Sequence, residues 1–248
     1  MNSNGGVLPV DPAAANQLLT TLRAEERIEW AVQQFGMRAV VLSSMQKTSS
    51  VLLHIMARIA PDNQILFVDT GFHFPETLAV RDEFIQRFDL KINTLHPELS
   101  PAEQKAKYGY DLYEFIDGQP DCCQARKEVP FLNHVRKQGT QLVMLGLRRA
   151  EGGARGNLQP LELDPRYSGY VLHPLLDWRA ADVDDYLKAH DVPVNALHAK
   201  QYPSIGCSVC TTPVEPGEDE RAGRWRHLRG EGVQPRYCGL NFSDGGGI

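Results

Sequence analysis

Short runs of consecutive apolar residues alternate with longer, partly polar stretches through the middle of the chain. Apolar runs of this length, bounded by polar residues, predict buried strands, and the longer stretches predict helices. Strands and helices that alternate in this order predict an α/β fold, with a parallel twisted sheet and helices on both faces. The predicted strands are 38–43, 64–69, 91–95 and 141–147, and the predicted helices are 49–59, 76–88, 129–137 and 182–190.

Polar or glycine-containing loops follow three of the predicted strands, at 43–50, 69–73 and 146–155. Ligands of parallel sheets bind beyond the carboxyl ends of the strands, so these loops form the candidate binding site. The second loop begins with Asp69, which either contacts a ribose or caps its own turn.

The first loop places Ser43 and Ser44 before a predicted helix. Hydroxyls, backbone N–H groups and a helix N-terminus together favour a bound phosphate. Serine and threonine before a helix are also ordinary N-caps, so this loop alone identifies no ligand. It is not a Walker A loop, because it lacks the glycines and the Gly-Lys-Ser/Thr ending.

The chain of 248 residues is long enough to bury one large core, alone or with a smaller appendage. Its hydrophobic fraction of 42% and charged fraction of 23% are those of an ordinary globular protein. The net charge of -5 argues against a nucleic-acid partner or a membrane surface. We find no signal peptide and no transmembrane stretch in the sequence, and therefore expect a cytoplasmic protein.

Five cysteines fall into an adjacent pair, Cys122 and Cys123, a Cys-x-x-Cys pair, Cys207 and Cys210, and a single Cys238 near the C-terminus. An odd number without an export signal indicates reduced thiols or metal ligands. Zinc sites usually draw on two Cys-x-x-Cys pairs, whereas vicinal thiolates suit a larger iron–sulfur cluster. Spacing alone leaves zinc, ordinary buried thiols and a redox pair open. Proline- and glycine-rich sequence through residue 217 predicts irregular structure around the second pair.

Four blocks of sequence carry a resemblance to a known family. They are 69–77 (DTGFHFPET), 122–127 (CCQARK), 202–211 (YPSIGCSVCT) and 213–225 (PVEPGEDERAGRW). In this order they resemble the assimilatory adenylyl-sulfate and phosphoadenylyl-sulfate reductases. The resemblance runs from about residue 39 to 240 and implies a PP-loop, adenine nucleotide alpha hydrolase-like fold. It also implies reduction of a sulfonucleotide to sulfite and a nucleotide monophosphate, with thioredoxin or glutaredoxin as the electron donor.

The resemblance gives each cysteine a role. Members with both cysteine pairs bind a 4Fe-4S cluster and usually prefer adenosine 5'-phosphosulfate, which implies that Cys122, Cys123, Cys207 and Cys210 hold such a cluster. It further implies a single domain, 1–248, with a folded core at about 18–225 and a mobile tail, 226–248. The tail carries Cys238 as the nucleophile, which forms an S-sulfonate intermediate. Without the resemblance, Cys238 is as well explained as an incidental tail thiol.

The segment around Cys238 departs from the family's Glu-Cys-Gly-Leu/Ile-His pattern. Tyr237 stands in place of the glutamate and Asn241 in place of the histidine. Asparagine cannot titrate or carry positive charge, so His227 or Arg236 is a candidate to replace the histidine in holding sulfate or tuning the thiolate.

The resemblance also assigns the cations. It implies that Lys127 lies between cluster and substrate, that Arg221 and Arg224 face the phosphosulfate, and that Arg148, Arg149 and Arg155 belong to an arginine loop over the nucleotide. Guanidinium groups suit sulfate and phosphate oxygens, although each of these charges also fits an ordinary surface position.

Several alternatives stay open. The sequence Lys47-Thr48-Ser49 lacks the acidic pair that cluster-containing relatives often carry, so use of the 3'-phosphorylated nucleotide, alone or alongside adenosine 5'-phosphosulfate, is an alternative. A PP-loop sulfurtransferase or adenylating enzyme shares the fold, but is expected to carry a Ser-Gly-Gly-x-Asp-Ser loop. A non-catalytic iron–sulfur or zinc scaffold needs only the four paired cysteines. A homo-oligomer is compatible with the sequence.

Overall fold

The computed structural model describes residues 10–229. Cys238, its neighbours Arg236, Tyr237 and Asn241, and the rest of the predicted tail from residue 230 lie outside this part of the chain. The helices are α1 (Pro12–Leu19), α2 (Ala24–Phe35), α3 (Lys47–Ile59), α4 (Pro75–Phe88), α5 (Pro101–Tyr108), α6 (Gly118–Cys123), α7 (Val129–Gln138) and α8 (Ala180–Ala189). The strands are β1 (Ala39–Ser43), β2 (Ile65–Val68), β3 (Ile92–Leu95), β4 (Leu142–Met144), β5 (Leu161–Asp164) and β6 (Gly169–Leu172).

The six strands form one sheet in the order β3-β2-β1-β4-β6-β5. The four pairs from β3 to β6 are parallel, whereas β5 pairs antiparallel with β6. The predicted α/β fold with its parallel sheet is confirmed, and β5 adds an antiparallel strand at one edge that the sequence pattern does not predict. A hairpin closes the sheet there, with Ser168 in a left-handed conformation (φ 55) at the turn.

The two faces of the sheet carry alternate strand residues and bury two separate apolar clusters. One face, including Val41 and Phe67, packs against α1, α2, α3, α4 and α8. The other face, including Leu42 and Leu66, packs against α7. Helices cover both faces of the sheet, so strand residues are buried whichever face they point to. This explains why the strands appear in the sequence as continuous apolar runs.

The N-terminal helices begin at sequence signals that are local to them. Asp11 caps α1 by accepting hydrogen bonds from the backbone N–H groups of Ala13 and Ala14, and Pro12 occupies the first helical turn. In α2 the buried guanidinium of Arg27 donates to the Leu19 carbonyl and to Asp177, 2.6 Å away. Helix α1 therefore belongs to the folded core, which begins ahead of the predicted boundary at about residue 18.

No helix within residues 10–229 is long and apolar enough to span a membrane.

A π-helical turn, Gln124–Glu128, joins α6 to α7 without a break in the helical path. Pro130 follows in the first turn of α7 and has no N–H to donate into the preceding turn. π turns of this kind are frequent at functional sites. Here the turn carries Arg126 and Lys127, both buried, directly after the vicinal cysteines.

Helix α4 offers a matched test of the core. Phe84 is fully buried, whereas its neighbour Ile85 is 40% exposed. We expect Phe84→Ala to lower the free energy of unfolding by about 3–5 kcal/mol, because it leaves a cavity under the sheet. Ile85→Ala should change it by about 0.5 kcal/mol or less. Denaturant unfolding of both variants measures the difference, and equal losses would contradict the packing described.

Candidate active site

A cleft of about 830 Å³ lies beyond the carboxyl ends of β1, β2 and β4. Its walls come from the loop after β1, the loop after β4 and the irregular segment that follows α8. A volume of this size suits a nucleotide-sized ligand. The position is the one that the sequence predicts for a binding site in a sheet of this kind.

The loop after β1 folds back on itself before α3 begins. Ser43 Oγ accepts from the Met45 N–H at 3.2 Å, and Ser44 Oγ lies 3.0 Å from Ser49 Oγ. Met45 is fully buried and adopts a left-handed conformation (φ 56). The first turn of α3, with Thr48 and Ser49, lines the cleft, so this helix N-terminus is placed to meet an anion.

Gly146, in the loop after β4, lies against the first turn of α3. A β-carbon there would stand 3.2 Å from the backbone of Thr48 and Ser49. This contact is tighter than a side chain normally allows, so the glycine permits the two loops to pack directly together. The floor of the cleft is therefore one continuous unit of backbone.

Most of the expected substrate-binding residues line this cleft. Lys127, Arg155, Arg221 and Arg224 are among them, and so are the two serines, Ser43 and Ser44.

Arg224 is almost completely buried, at 4% exposure. Its Nη1 donates to Ser204 Oγ at 3.3 Å, and its guanidinium carbon lies 4.7 Å from the centre of the Trp225 ring. Gly206 makes room for it, since a β-carbon there would lie 2.3 Å from the guanidinium. Arg224 Nε has no hydrogen-bond partner among the residues described. A buried donor in this state is expected to receive an acceptor from a ligand or water.

The loop after β4 separates its two neighbouring arginines. Arg148 lines the cleft and donates from Nε to Thr48 Oγ1 at 3.2 Å. Arg149 instead binds Asp177 at 2.6 Å and the Leu158 carbonyl at 2.9 Å. Arg149 is therefore absent from the described cleft wall, and Arg148 takes the position expected of it.

Two other carboxylates at the site have structural partners. Asp69 Oδ1 accepts from the Gly71 N–H at 2.9 Å, so Asp69 caps its own turn and is not among the described residues that line the cleft. Glu151 contacts both Arg148 and Arg155. It holds the two guanidinium groups at the rim of the cleft.

The four paired cysteines line one small cavity behind the cleft. Cys122 and Cys123 reach it from the end of α6, and Cys207 and Cys210 from the loop after α8. All four are buried. Within residues 10–229 no three or more His, Cys, Asp or Glu side chains are arranged to hold a metal ion directly.

Burial raises the pKa of the Cys122 thiol, and neighbouring Cys207 adds to the effect. Burial is also the main cause that raises the pKa of the Cys210 thiol, and Cys207 is the second. Thiols in this environment stay protonated unless positive charge offsets the loss of water. Lys127 opposes the shift at both cysteines and Arg126 opposes it at Cys122.

Lys127 lines both the cysteine cavity and the cleft. Its place in the π turn, four residues after Cys123, gives one buried cation access to both spaces. On the cavity side, Thr70 Oγ1 lies 3.3 Å from Cys207 Sγ. The loop after β2 thus joins the sheet edge to the second cysteine pair.

Some residues of the site escape prediction from sequence. Gln104, Gln119 and Trp225 contact or line the cysteine cavity, and Glu151 lines the cleft. Trp225 lies within the block 213–225, which is a usable signal. Gln104 stands in a helix without any motif, so only the folded structure identifies it.

Known proteins share the sequence pattern and the fold of this chain. The profile of the family "Phosphoadenosine phosphosulfate reductase domain" matches residues 38–213. An "Adenosine 5'-phosphosulfate reductase" of Halalkalibacterium halodurans is 39% identical over 91% of this chain and 94% of its own length. A protein of the same name from Mycolicibacterium smegmatis is 35% identical over 91% of each chain. A "Phosphoadenosine 5'-phosphosulfate reductase" of Gloeobacter violaceus is 37% identical over 89% of each chain.

Among solved structures, phosphoadenylyl-sulfate reductase from Candida auris, crystallised as a phosphate complex, superposes with a TM-score of 0.74. The match covers 84% of this chain and 100% of that one, at 24% sequence identity, and so supports the fold. The resemblance read from the four sequence blocks is confirmed. The profile spans most of the described residues, and the relatives align over nearly their full lengths: the chain belongs to the phosphoadenosine phosphosulfate reductase domain family.

Proposed function

We propose that the protein reduces adenosine 5'-phosphosulfate to sulfite and AMP in assimilatory sulfate reduction and cysteine biosynthesis, with thioredoxin or glutaredoxin as electron donor. The observation that carries this proposal is the position of Lys127, which lines both the cysteine cavity and the cationic cleft. The names of the bacterial relatives support the same substrate. A cytoplasmic location and a single domain spanning 1–248 belong to the proposal.

The cleft offers a nucleotide two different environments. The N-terminus of α3 and the backbone floor at Gly146 lie at the sheet edge, where adenine nucleotides bind in folds of this class. Lys127, Arg221 and Arg224 supply positive charge on the facing wall. A phosphosulfate group set against this wall provides the acceptor that Arg224 Nε lacks within the described part of the chain.

The proposed reaction has two nucleophilic steps. The thiolate of Cys238 attacks the sulfur of the sulfate group, the sulfur–oxygen bond to the phosphate breaks, and AMP leaves with the bonding electrons. A donor thiolate then attacks Cys238 Sγ, so that sulfite leaves with the electron pair of the sulfur–sulfur bond. The resulting mixed disulfide is resolved by the second donor thiol. The donor dithiol is oxidised and the sulfate sulfur gains two electrons.

The four paired cysteines fit a 4Fe-4S cluster. Four buried cysteines line one cavity, and two of them, Cys122 and Cys123, are adjacent in the chain. This arrangement favours a polynuclear centre over one tetrahedral zinc. When bound, the cluster supplies a fixed charge distribution beside the substrate site. Lys127 and Arg126, buried next to it, offset the negative charge of the thiolates.

Use of the 3'-phosphorylated nucleotide is a second candidate. Lys47 lines the cleft without an acidic residue beside it in the loop, but its ammonium binds Asp184 of α8 at 2.8 Å. The Gloeobacter relative carries the corresponding name. We propose that Asp184 neutralises Lys47 and so favours adenosine 5'-phosphosulfate. A non-catalytic scaffold explains the cysteines equally well, but gives no reason for the buried cation Arg224.

The first test addresses Arg224. We expect Arg224→Lys to lower kcat/KM for adenosine 5'-phosphosulfate about 10-fold to 100-fold, because a lysine cannot reproduce the geometry of a buried guanidinium. Arg226→Lys is the matched control, since Arg226 binds Glu218 and lies outside the cleft wall. Steady-state kinetics compare the two. An equal effect in both variants would show that Arg224 does not contact substrate.

The second test concerns the nucleophile. Incubation of the protein with phosphosulfate labelled at the sulfate sulfur, in the absence of donor, should leave label on the wild type and none on Cys238→Ser. The serine hydroxyl is a far weaker nucleophile at neutral pH. Protein-bound label is measured after denaturation and gel filtration. Label that persists on the variant would remove Cys238 from the mechanism.

The third test concerns the 3'-phosphate. Asp184→Asn leaves the charge of Lys47 uncompensated, and should raise kcat/KM for the 3'-phosphorylated nucleotide relative to adenosine 5'-phosphosulfate several-fold. Asp185→Asn, at the neighbouring exposed position, is expected to leave the ratio unchanged. A wild type that already prefers the 3'-phosphorylated nucleotide would reverse the substrate assignment.

A further inference from the structure

Two glutamines are buried beside the vicinal cysteines. Gln104, on α5, is 4% exposed, and Gln119, in the first turn of α6, is 1% exposed. Burying a primary amide without partners costs about 1–3 kcal/mol, so buried glutamines normally have specific hydrogen-bonding tasks. Their amide nitrogens point at sulfur: Gln119 Nε2 lies 3.0 Å from Cys123 Sγ, and Gln104 Nε2 lies 3.7 Å from Cys122 Sγ.

The hydrogen-bond network fixes the orientation of the Gln104 amide. Arg126 Nη1 donates to Gln104 Oε1 at 3.0 Å. A guanidinium only donates, so the oxygen must face Arg126 and the NH₂ group must face Cys122. Arg126 is itself held by the carbonyls of Thr70 and Leu99. The donor at Cys122 is thus positioned by groups from the loops after β2 and β3.

Helix geometry fixes the other donor. Gln119 and Cys123 stand four residues apart on α6, so their side chains lie on the same face of the helix. Each of the two adjacent cysteines meets one glutamine. A thiolate accepts hydrogen bonds more strongly than a neutral thiol, so both donors suit sulfurs that act as ligands.

We propose that Gln104 and Gln119 are positioning residues for the iron–sulfur cluster, which hold the two vicinal thiolates by N–H···S hydrogen bonds and slow loss of iron. This inference rests on the cofactor of the proposed function. The shorter contact assigns the larger share to Gln119. Hydrogen bonds to ligand sulfurs are a principal means by which a protein tunes such a cluster, and outer partners of metal ligands strongly affect metal retention.

The test uses the full chain, purified without oxygen, with its cluster. The variants are Gln119→Leu, Gln104→Leu and Gln119→His, which returns a ring N–H donor. Gln124→Leu is the matched control, because Gln124 is exposed and directly follows Cys123. Three quantities are measured: iron and sulfide per chain, the rate of iron transfer to a chelator, and the iron–sulfur(cysteine) stretching frequencies by resonance Raman spectroscopy.

We expect Gln119→Leu to lose iron about tenfold faster than the wild type and to raise an iron–sulfur(cysteine) stretching frequency, because the sulfur no longer shares electron density with a donor. Gln104→Leu should change the rate of iron loss and the stretching frequency in the same direction, but by less. Gln119→His should restore most of the iron retention that Gln119→Leu loses. Gln124→Leu should match the wild type. If Gln119→Leu fails to fold, the spectra and iron transfer of Gln104→Leu and Gln119→His decide.

Two outcomes would overturn the proposal and they are distinguishable. A wild type that carries a cluster, with Gln119→Leu and Gln104→Leu indistinguishable from Gln124→Leu, refutes the hydrogen-bonding role and leaves the proposed function intact. A wild type that contains neither iron nor sulfide after anaerobic purification refutes the cofactor, and this inference with it.

Discussion

Buried positive charge dominates the site, and the negative charges that balance it are those of the cysteine thiolates and of an anionic substrate. Arg126, Lys127 and Arg224 are each less than 9% exposed. The hydrogen bonds described for Arg126 go to carbonyl groups and to an amide oxygen, and that of Arg224 goes to a hydroxyl. Burying a cation among neutral partners costs several kcal/mol. The arrangement is stable when thiolates on one side and an anionic substrate on the other complete it.

The π turn brings these charges to the cysteines. In a regular α-helix, the residues after Cys123 would continue with a fixed rotation of 3.6 residues per turn. The wider turn at Gln124–Glu128 changes that rotation and leaves Arg126 beside the cavity, while Lys127 reaches both cavity and cleft. One local irregularity of the backbone thus links the cofactor site to the substrate site, and the proposed electrostatic role of the cluster depends on that link.

Sequence patterns predict the parts of this fold that local chemistry determines. Apolar runs such as 64–69 end at a polar residue, and this places the loops of the cleft at the correct sheet edge. The β5–β6 hairpin is not predictable in the same way, because Leu161–Asp164 mixes apolar and acidic residues and is stabilised by pairing with β6.

The arginines after β4 show the same limit on a finer scale. Arg148 has an extended backbone conformation and Arg149 begins a 3-10 turn, so the two side chains diverge. A sequence that offers two adjacent arginines gives no means of choosing between them. The π turn escapes prediction for a related reason, since it follows from tertiary contacts of Arg126 and from Pro130, and no residue pattern is specific to it.

Met45 has an evolutionary consequence. Its left-handed backbone conformation is one that glycine adopts at no cost, and a non-glycine residue there stores about 1 kcal/mol or more of strain. Its side chain is also fully buried, and removing a buried methionine costs about 2–5 kcal/mol. Replacement of Met45 by glycine would relieve about 1 kcal/mol of backbone strain. It would lose about 2–5 kcal/mol of side-chain packing. A lineage with this loop therefore cannot reach a glycine-containing loop by one tolerated substitution, because the core beneath it must be refilled in the same step.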